Sequence, residues 1–327
     1  MDSRDETLHG AGDHPAWSES YYFNFYDPKS QVGMFARMAF RLNEGTVDGL
    51  MVLYLGGHRV AFTYTRERLD GPVKALKAGG LSLELEHPFK TWHVRYSGPA
   101  QDIADDRILV TRRKERPDGW FTPATVEMDL TFEGSIDPYY TLDDAGGERN
   151  HFEQPGRVTG TVKVGDESWD VDGFGVRDKS WGPRTWQAGG SSTSDTKTEQ
   201  PAGPAPFVNW LSMNFGPSFA IGASCGLRDG VMRGAGWIQR DGMILALKDI
   251  RVESQFEPDS ILHKSLVFTG TDEMGVEHRV EGELLTVTPT KIPMPGAGAT
   301  FVNEGLARYT LDGQTGYGIA EYWHTVE

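Results

Sequence analysis

The residues of this chain best suited to acid–base chemistry lie in one stretch near its middle, residues 173–186 (GFGVRDKSWGPRTW). Two arginines, an aspartate and two tryptophans fall within ten residues there. A carboxyl group buried among apolar side chains loses hydration, so its pKa rises and it can stay protonated near neutral pH. That property is the one a general acid needs, and Asp178 is the residue of this stretch that could have it.

The spacing in this stretch predicts a strand over residues 173–181, in which successive side chains point to opposite faces. One face then carries Phe174, Val176, Asp178 and Ser180, and the other carries Arg177, Lys179 and Trp181. Asp178 would lie in a largely apolar row and serve as a proton donor. A structural ion pair of Asp178 with Arg177 or Arg184 fits the same spacing, with the pKa lowered instead, and spacing by itself favours that pair.

Short runs of alternating apolar and polar residues fill the rest of the chain, separated by glycine, proline and aspartate. Clear cases are residues 81–86 (LSLELE), 125–132 (TVEMDLTF) and 301–311 (FVNEGLARYTL). No long stretch has the 3.6-residue period of a helix. Because period-two alternation is typical of antiparallel sheets, we predict an all-β protein built from barrels or sandwiches.

The composition argues against several classes of partner and location. A net charge of −15 repels nucleic-acid backbones and anionic lipid headgroups, so we expect neither nucleic acid nor a membrane surface as a partner. The single cysteine, Cys225, excludes an internal disulfide and fits a reducing cytosol. Residues 1–14 lack the apolar core of a signal peptide, and the longest apolar run, residues 50–55, is too short to span a bilayer. We therefore expect a cytoplasmic protein without stable membrane insertion.

The central stretch resembles the G-x-G-x-R-D-x-S-W-G-x-R-x-W signature of the carotenoid 1,2-hydratase and AttH-like lipocalin superfamily, in particular its bacterial branch. Three flanking parts are similar to the same family: the opening residues 17–27 (WSESYYFNFYD), the upstream residues 151–156 (HFEQPG), and the last strands at 303–305 and 316–322. The resemblance covers most of the chain, and residues 189–206 depart from it as an insertion.

This resemblance implies two tandem lipocalin-like antiparallel β-barrels or half-barrels packed side by side, with an apolar cavity for a small molecule. Characterised members add water to isoprenoid double bonds, and Asp178 matches the motif aspartate that would donate the proton. The implied activity is a cofactor-independent, acid-catalysed hydratase, dehydratase or cyclase for a hydrophobic terpenoid-type molecule, with no metal.

In that scheme a protonated Asp178 generates a carbocation, which aromatic faces stabilise by cation–π attraction. The candidate substrate-binding residues are Arg177, Trp181, Arg184, Trp186, Trp210, Trp237 and Trp323. The candidates for orienting water or removing the last proton are Tyr22, Glu19, His151 and Glu321. For each of these four taken singly, the residue type favours a structural role in a hydrogen-bond network at a barrel mouth over a catalytic one.

The strand pattern divides near residue 165, which predicts an N-terminal β-domain over 1–165 and a C-terminal one over 166–327. Residues 189–206 lack large apolar side chains and are predicted to form a mobile loop, either a surface insertion or a lid over a cavity. Two other functions fit the same pocket: a non-catalytic carrier of an apolar ligand, and an isomerase or lyase for an aromatic compound. A carrier needs only an apolar cavity and a hydrogen bond, whereas an enzyme needs a displaced pKa and a second polar group.

Overall fold

The chain forms two compact units in a computed structural model that describes residues 2–142, 150–184, 206–228, 231–293 and 299–326. The first unit contains Met1–Asp105 and Asp118–Arg184, and the second contains Asp106–Pro117 and Thr185–Glu327. The sequence placed a division near residue 165, which is the turn between two strands of the first unit. A short segment from the first half of the chain therefore belongs to the second unit.

The described part of the first unit consists mainly of strands. Its strands are β1 (Trp17–Asp27), β2 (Val32–Arg41), β3 (Thr46–Leu55), β4 (Val60–Arg68), β5 (Leu76–Ala78), β6 (Leu81–His87), β7 (Thr91–Ile103), β8 (Thr122–Gly134), β9 (Tyr139–Leu142), β10 (Asn150–Val164) and β11 (Glu167–Pro183). Two 3-10 helices, η1 (Ser3–Glu6) and η2 (Leu42–Glu44), precede β1 and β3.

These strands form one antiparallel sheet in the order β4-β3-β2-β1-β11-β10-β8-β7-β6-β5, with β9 added beside β10. A further pairing of β4 with β7 joins the ends of the eight-strand run from β4 to β7 and closes it. Alternate side chains of each strand fill the inside, as a two-residue period requires. Tyr21, Phe23, Met38 and Trp92 are among the buried side chains of that core.

Strand β1 lies at the centre of this sheet and is buried along its whole length, on both faces. Its neighbours are β2 on one side and β11 on the other. Tyr21 and Phe23 point into the core, while Tyr22 points to the opposite face and stacks on Phe35. Both faces of β1 and β11 can therefore carry polar groups that are shielded from water.

The second unit contains a closed eight-stranded barrel, β12 (Val208–Gly216), β13 (Phe219–Arg228), β14 (Val231–Arg240), β15 (Met243–Phe256), β16 (His263–Asp272), β17 (Glu277–Pro293), β18 (Ala299–Leu311) and β19 (Gln314–Val326). The 3-10 helices η3 (Asp106–Val110) and η4 (Arg113–Glu115) belong to this unit. The prediction of an all-β, lipocalin-like antiparallel fold is confirmed. Among the described residues, no helix is long and apolar enough to cross a membrane.

Candidate functional site

Four polar side chains lie in register on one face of the first sheet. Asp178 of β11 lies opposite Tyr22 of β1 and opposite Glu153 of β10. Tyr22 in turn lies opposite Arg37 of β2. Because directly opposed residues share a face, this polar row points away from the core into which Tyr21 points.

His151 completes this group from one step along β10. It lies opposite Ser180 and on the same face as Glu153, two residues further on. Its Nε2 is in hydrogen-bond contact with Asp178 Oδ2, and the same nitrogen is 3.7 Å from Glu153 Oε1. The side chains of His151 and Asp178 are 21% and 16% exposed, whereas that of Glu153 is 4% exposed. The pair is thus shielded while keeping limited access to solvent.

The protonation state of Asp178 differs from the sequence expectation. Burial raises the pKa of its carboxyl, but the attraction and hydrogen bond of His151, with the charges of Arg184 and Arg37, outweigh burial and lower the pKa below its ordinary value. Asp178 is therefore ionised at neutral pH, so the prediction that it stays protonated as the general acid is wrong. The alternative of an ion pair agrees with the lowered pKa, but the hydrogen-bonded partner is His151 rather than Arg177 or Arg184.

The opposite face of β11 carries two buried cations, as the predicted alternation required. The Arg177 guanidinium forms two hydrogen bonds to the Glu6 carboxylate, at 2.8 and 2.7 Å. Lys179 is fully buried and contacts the Glu19 carboxylate. Glu19, a predicted catalytic residue, therefore lies on the other side of the sheet from Asp178 and serves there as a counter-charge.

Trp181 shares this second face and lines a cavity of about 400 Å³ together with Trp17, Asn150 and His9. The His9 ring stacks on Trp181 with 4.3 Å between ring centroids. A second cavity of about 240 Å³ lies beside Met51 and Leu81. Neither of these two cavities is lined by Asp178 or His151.

Three of the predicted residues of the second unit, Trp210, Glu321 and Trp323, lie together on neighbouring strands. Trp210 of β12 lies opposite Glu321 of β19, and the Trp323 indole donates a hydrogen bond of 2.5 Å to the Glu321 carboxylate. Trp237 lies on β14 opposite Gly222 and is 1% exposed. Trp186 lies outside the described residues, as do residues 189–205 of the predicted loop.

His151, Glu153 and Asp178 could also act together as metal ligands. Each offers one ligand atom, and these three atoms lie within 4.8 Å of one another. An imidazole with two carboxylates is a ligand set that divalent transition metals accept. The positive charges of Arg37 and Arg184 act on the same carboxylate and oppose a further cation.

The sequence interpretation missed Glu153, Arg37 and Glu6 as partners of the motif. Glu153 carries a usable signal, because residues two apart on a strand share a face and His151 was already a candidate. Arg37 and Glu6 carry no such signal. Arg37 lies 141 positions before Asp178 and reaches it only through the register of β2 with β1 and of β1 with β11. Glu6 lies 171 positions before Arg177 and reaches it through the path of the segment before β1.

Comparison with known proteins identifies the family and the fold. A family model described as a domain of unknown function (DUF7064) matches residues 2–326. The structure is similar to that of an AttH-like protein (NE1406) from Nitrosomonas europaea, at 12% identity and a TM-score of 0.54, over 97% of this chain and 98% of that one. It is also similar to CghA, at 11% identity and a TM-score of 0.52, over 95% and 88% of the two chains.

A structure of CghA with Sch210972 matches at 10% identity and a TM-score of 0.50, over 98% of this chain and 93% of that one. No curated protein matches the sequence. At these identities the structural likeness establishes the fold alone.

Proposed function

The chain belongs to the DUF7064 family, and we propose that this member is a cofactor-independent hydro-lyase or cyclase acting on a hydrophobic, terpenoid-type small molecule. The observation that carries the proposal is the contact between His151 and Asp178, in register with Tyr22 and Glu153. The lipocalin-like fold and the likeness to CghA, which was crystallised with Sch210972, support a small-molecule substrate.

Because Asp178 is ionised, it has no proton to donate, and His151 is the group that donates the proton to the substrate. A carboxylate bound to an imidazole fixes the orientation of the ring and stabilises its protonated form. Because Asp178 holds Nε2 of His151, the proton passes from Nδ1 to an oxygen of the substrate. Glu153, whose Oε1 lies 3.7 Å from that Nε2, is the candidate base that accepts a proton in return. In a dehydration, the donated proton leaves with the hydroxyl as water while a base removes the proton from the adjacent carbon.

This assignment narrows the substrate class. An imidazolium is too weak an acid to protonate an isolated alkene, so the reacting group is an oxygen, either a leaving hydroxyl or a carbonyl that activates the neighbouring carbon. Terpenoid alcohols with a conjugated carbonyl, and polyenes whose cyclisation a hydrogen bond to a carbonyl assists, meet that requirement.

The test is a conversion assay on a panel of such terpenoid carbonyl compounds and alcohols. Mass spectrometry follows the gain or loss of one water and the appearance of isomeric products. We expect conversion by the wild type and its loss in Asp178→Asn. Asp172→Asn is the matched control, because Asp172 lies on the same strand, is exposed and pairs with the exposed Arg157.

Conversion by Asp178→Asn at the wild-type rate would contradict the proposal. Stoichiometric binding of a panel compound, without conversion by wild type, would instead make the protein a carrier.

A further inference from the structure

One carboxylate of the chain occupies a site that the barrel of the first unit builds from other elements. Glu6 is 1% exposed, and among residues 2–14 it alone is buried. Its Oε1 accepts hydrogen bonds from Arg177 Nη2 at 2.7 Å and from the Phe89 backbone N–H at 2.6 Å. Its Oε2 accepts from Arg177 Nη1 at 2.8 Å. Three donors therefore converge on one carboxylate group.

The donors are held in place without any help from Glu6. Arg177 Nε donates to Gln154 Oε1 at 2.7 Å, and the Gln154 amide donates in turn to the backbone oxygens of Phe89 and Ile136. The guanidinium carbon lies 5.0 Å from the ring centroid of Phe152. This is a fork-shaped carboxylate receptor whose geometry is set by β10, β11 and the turn before β7.

The carboxylate that fills the receptor belongs to the segment that precedes β1. Residues 2–14 precede β1, and apart from Glu6 they are exposed or half-buried. They are attached to the sheet by His9, which bonds to Glu19 and stacks on Trp181, by Leu8, which packs on the core, and by Asp5, which accepts a hydrogen bond from Tyr140. Asn43 also donates hydrogen bonds to the backbone oxygens of Gly12 and His14. A buried guanidinium without a counter-charge is strongly unfavourable, so this segment can leave only if another carboxylate replaces Glu6.

We propose that Arg177, Gln154 and the Phe89 N–H form a binding site for a monocarboxylate with an apolar body. In the absence of that ligand, the Glu6 carboxylate occupies the site as an intramolecular competitor. The aromatic side chains beside the site, Phe152, Trp181 and Tyr140, supply the apolar contact surface. Binding of the ligand releases residues 2–14. The site lies on the opposite face of β11 from His151 and Asp178, so the two sites share no side chain.

The probe is decanoate, with decanol as its uncharged match, and calorimetry measures the affinity. A tethered competitor acts at an effective concentration of about millimolar, so removing it should strengthen ligand binding. We expect Glu6→Ala to bind decanoate at least about tenfold more tightly than wild type, with decanol unchanged. Asp13→Ala, which removes an exposed carboxylate from the same segment but outside η1, should bind like wild type.

Two further variants keep the test decisive. Glu6→Gln preserves the side-chain shape and replaces Glu6→Ala if that variant fails to fold. The double variant Glu6→Ala/Arg177→Met should lose the gain in decanoate affinity. In wild type, saturating decanoate should speed hydrogen exchange at the Thr7 amide, which is bonded to Arg4 O.

The proposal is overturned if neither Glu6 variant binds decanoate more tightly than wild type, because Glu6 would then be only a structural anchor. It is also overturned if decanol gains as much as decanoate, because the new space would then be an apolar hole rather than a carboxylate site.

Discussion

His151 and Asp178 are joined across β10 and β11, one diagonal step apart in a continuous antiparallel ladder. His151 lies opposite Ser180, and Asp178 lies opposite Glu153, so both side chains point to the same face. The backbone ladder holds the two strands, and the hydrogen bond between Nε2 and Oδ2 holds the two side chains. An acid–base pair built on strands in this way is preorganised before any ligand arrives.

A pair that moves one proton as a unit should show non-additive kinetics. On the substrate that the conversion assay identifies, we expect His151→Gln and Asp178→Asn each to lower kcat by about 10²-fold or more. The double variant should lose little beyond either single variant, because the first substitution already disables the pair. Steady-state kinetics on the three variants checks this. If the loss of kcat in the double variant equals the product of the two single losses, His151 and Asp178 have independent roles.

The lowered pKa of Asp178 predicts a specific dependence of stability on pH. The folded pKa lies below the unfolded value of about 3.9, so the stabilisation is present above that value and disappears as pH falls through the folded pKa. The difference in free energy of unfolding between wild type and Asp178→Asn should therefore be largest near pH 6 and shrink below pH 4. Urea denaturation at pH 6, 4 and 3 measures it. A difference that grows toward low pH would show a raised pKa.

The sequence predicted what strand periodicity controls and missed what strand pairing controls. The opposite orientations of Asp178 and Arg177 follow from a local period of two and were correct. The pKa direction of Asp178 was not accessible, because His151 lies 27 positions away and Arg37 reaches the site only through the register of β2 with β1. Glu19 was predicted to act beside Asp178. Side chains alternate along β1, however, and Glu19 lies three residues before Tyr22, so it points to the other face, opposite Trp181.

Glu19 is expected to matter for stability rather than for turnover. Its carboxylate neutralises Lys179, which is fully buried, and burial lowers the pKa of that lysine while Glu19 opposes the shift. Glu19→Gln should lower the free energy of unfolding by about 3–5 kcal/mol, since it leaves a buried charge unpaired. The double variant Glu19→Gln/Lys179→Met should recover much of that loss. Chemical denaturation compares them, and a double variant no more stable than Glu19→Gln would refute the pairing.

Asp106 should anchor η3 to the barrel of the second unit. Its carboxylate accepts hydrogen bonds from the hydroxyls of Thr286, at 2.9 and 2.8 Å, and of Thr288, at 2.7 Å, and both threonines are buried. Asp106→Ala leaves two buried hydroxyls without this acceptor, at a cost of about 2–4 kcal/mol. We expect a lower unfolding midpoint and faster proteolysis within residues 106–117. The exposed Asp118→Ala is the control, and an Asp106→Ala variant as resistant as that control would contradict the anchoring role.

Gly175, the second glycine of the central motif, should tolerate no side chain at all. A Cβ at this position would lie 1.7 Å from the backbone oxygen of Asn24, because β11 passes close to β1 between the paired residues Phe23–Arg177 and Tyr26–Phe174. Since backbone rather than a flexible side chain is in the way, Gly175→Ala must displace a strand, which we expect to cost about 3 kcal/mol or more. Gly226 is the matched control: it also lies in a strand, but a Cβ there meets nothing within 4 Å, so Gly226→Ala should change stability by less than about 0.5 kcal/mol. Soluble yield and the urea midpoint report both effects, and equal midpoints for the two variants would show that the motif glycine serves something other than close strand packing.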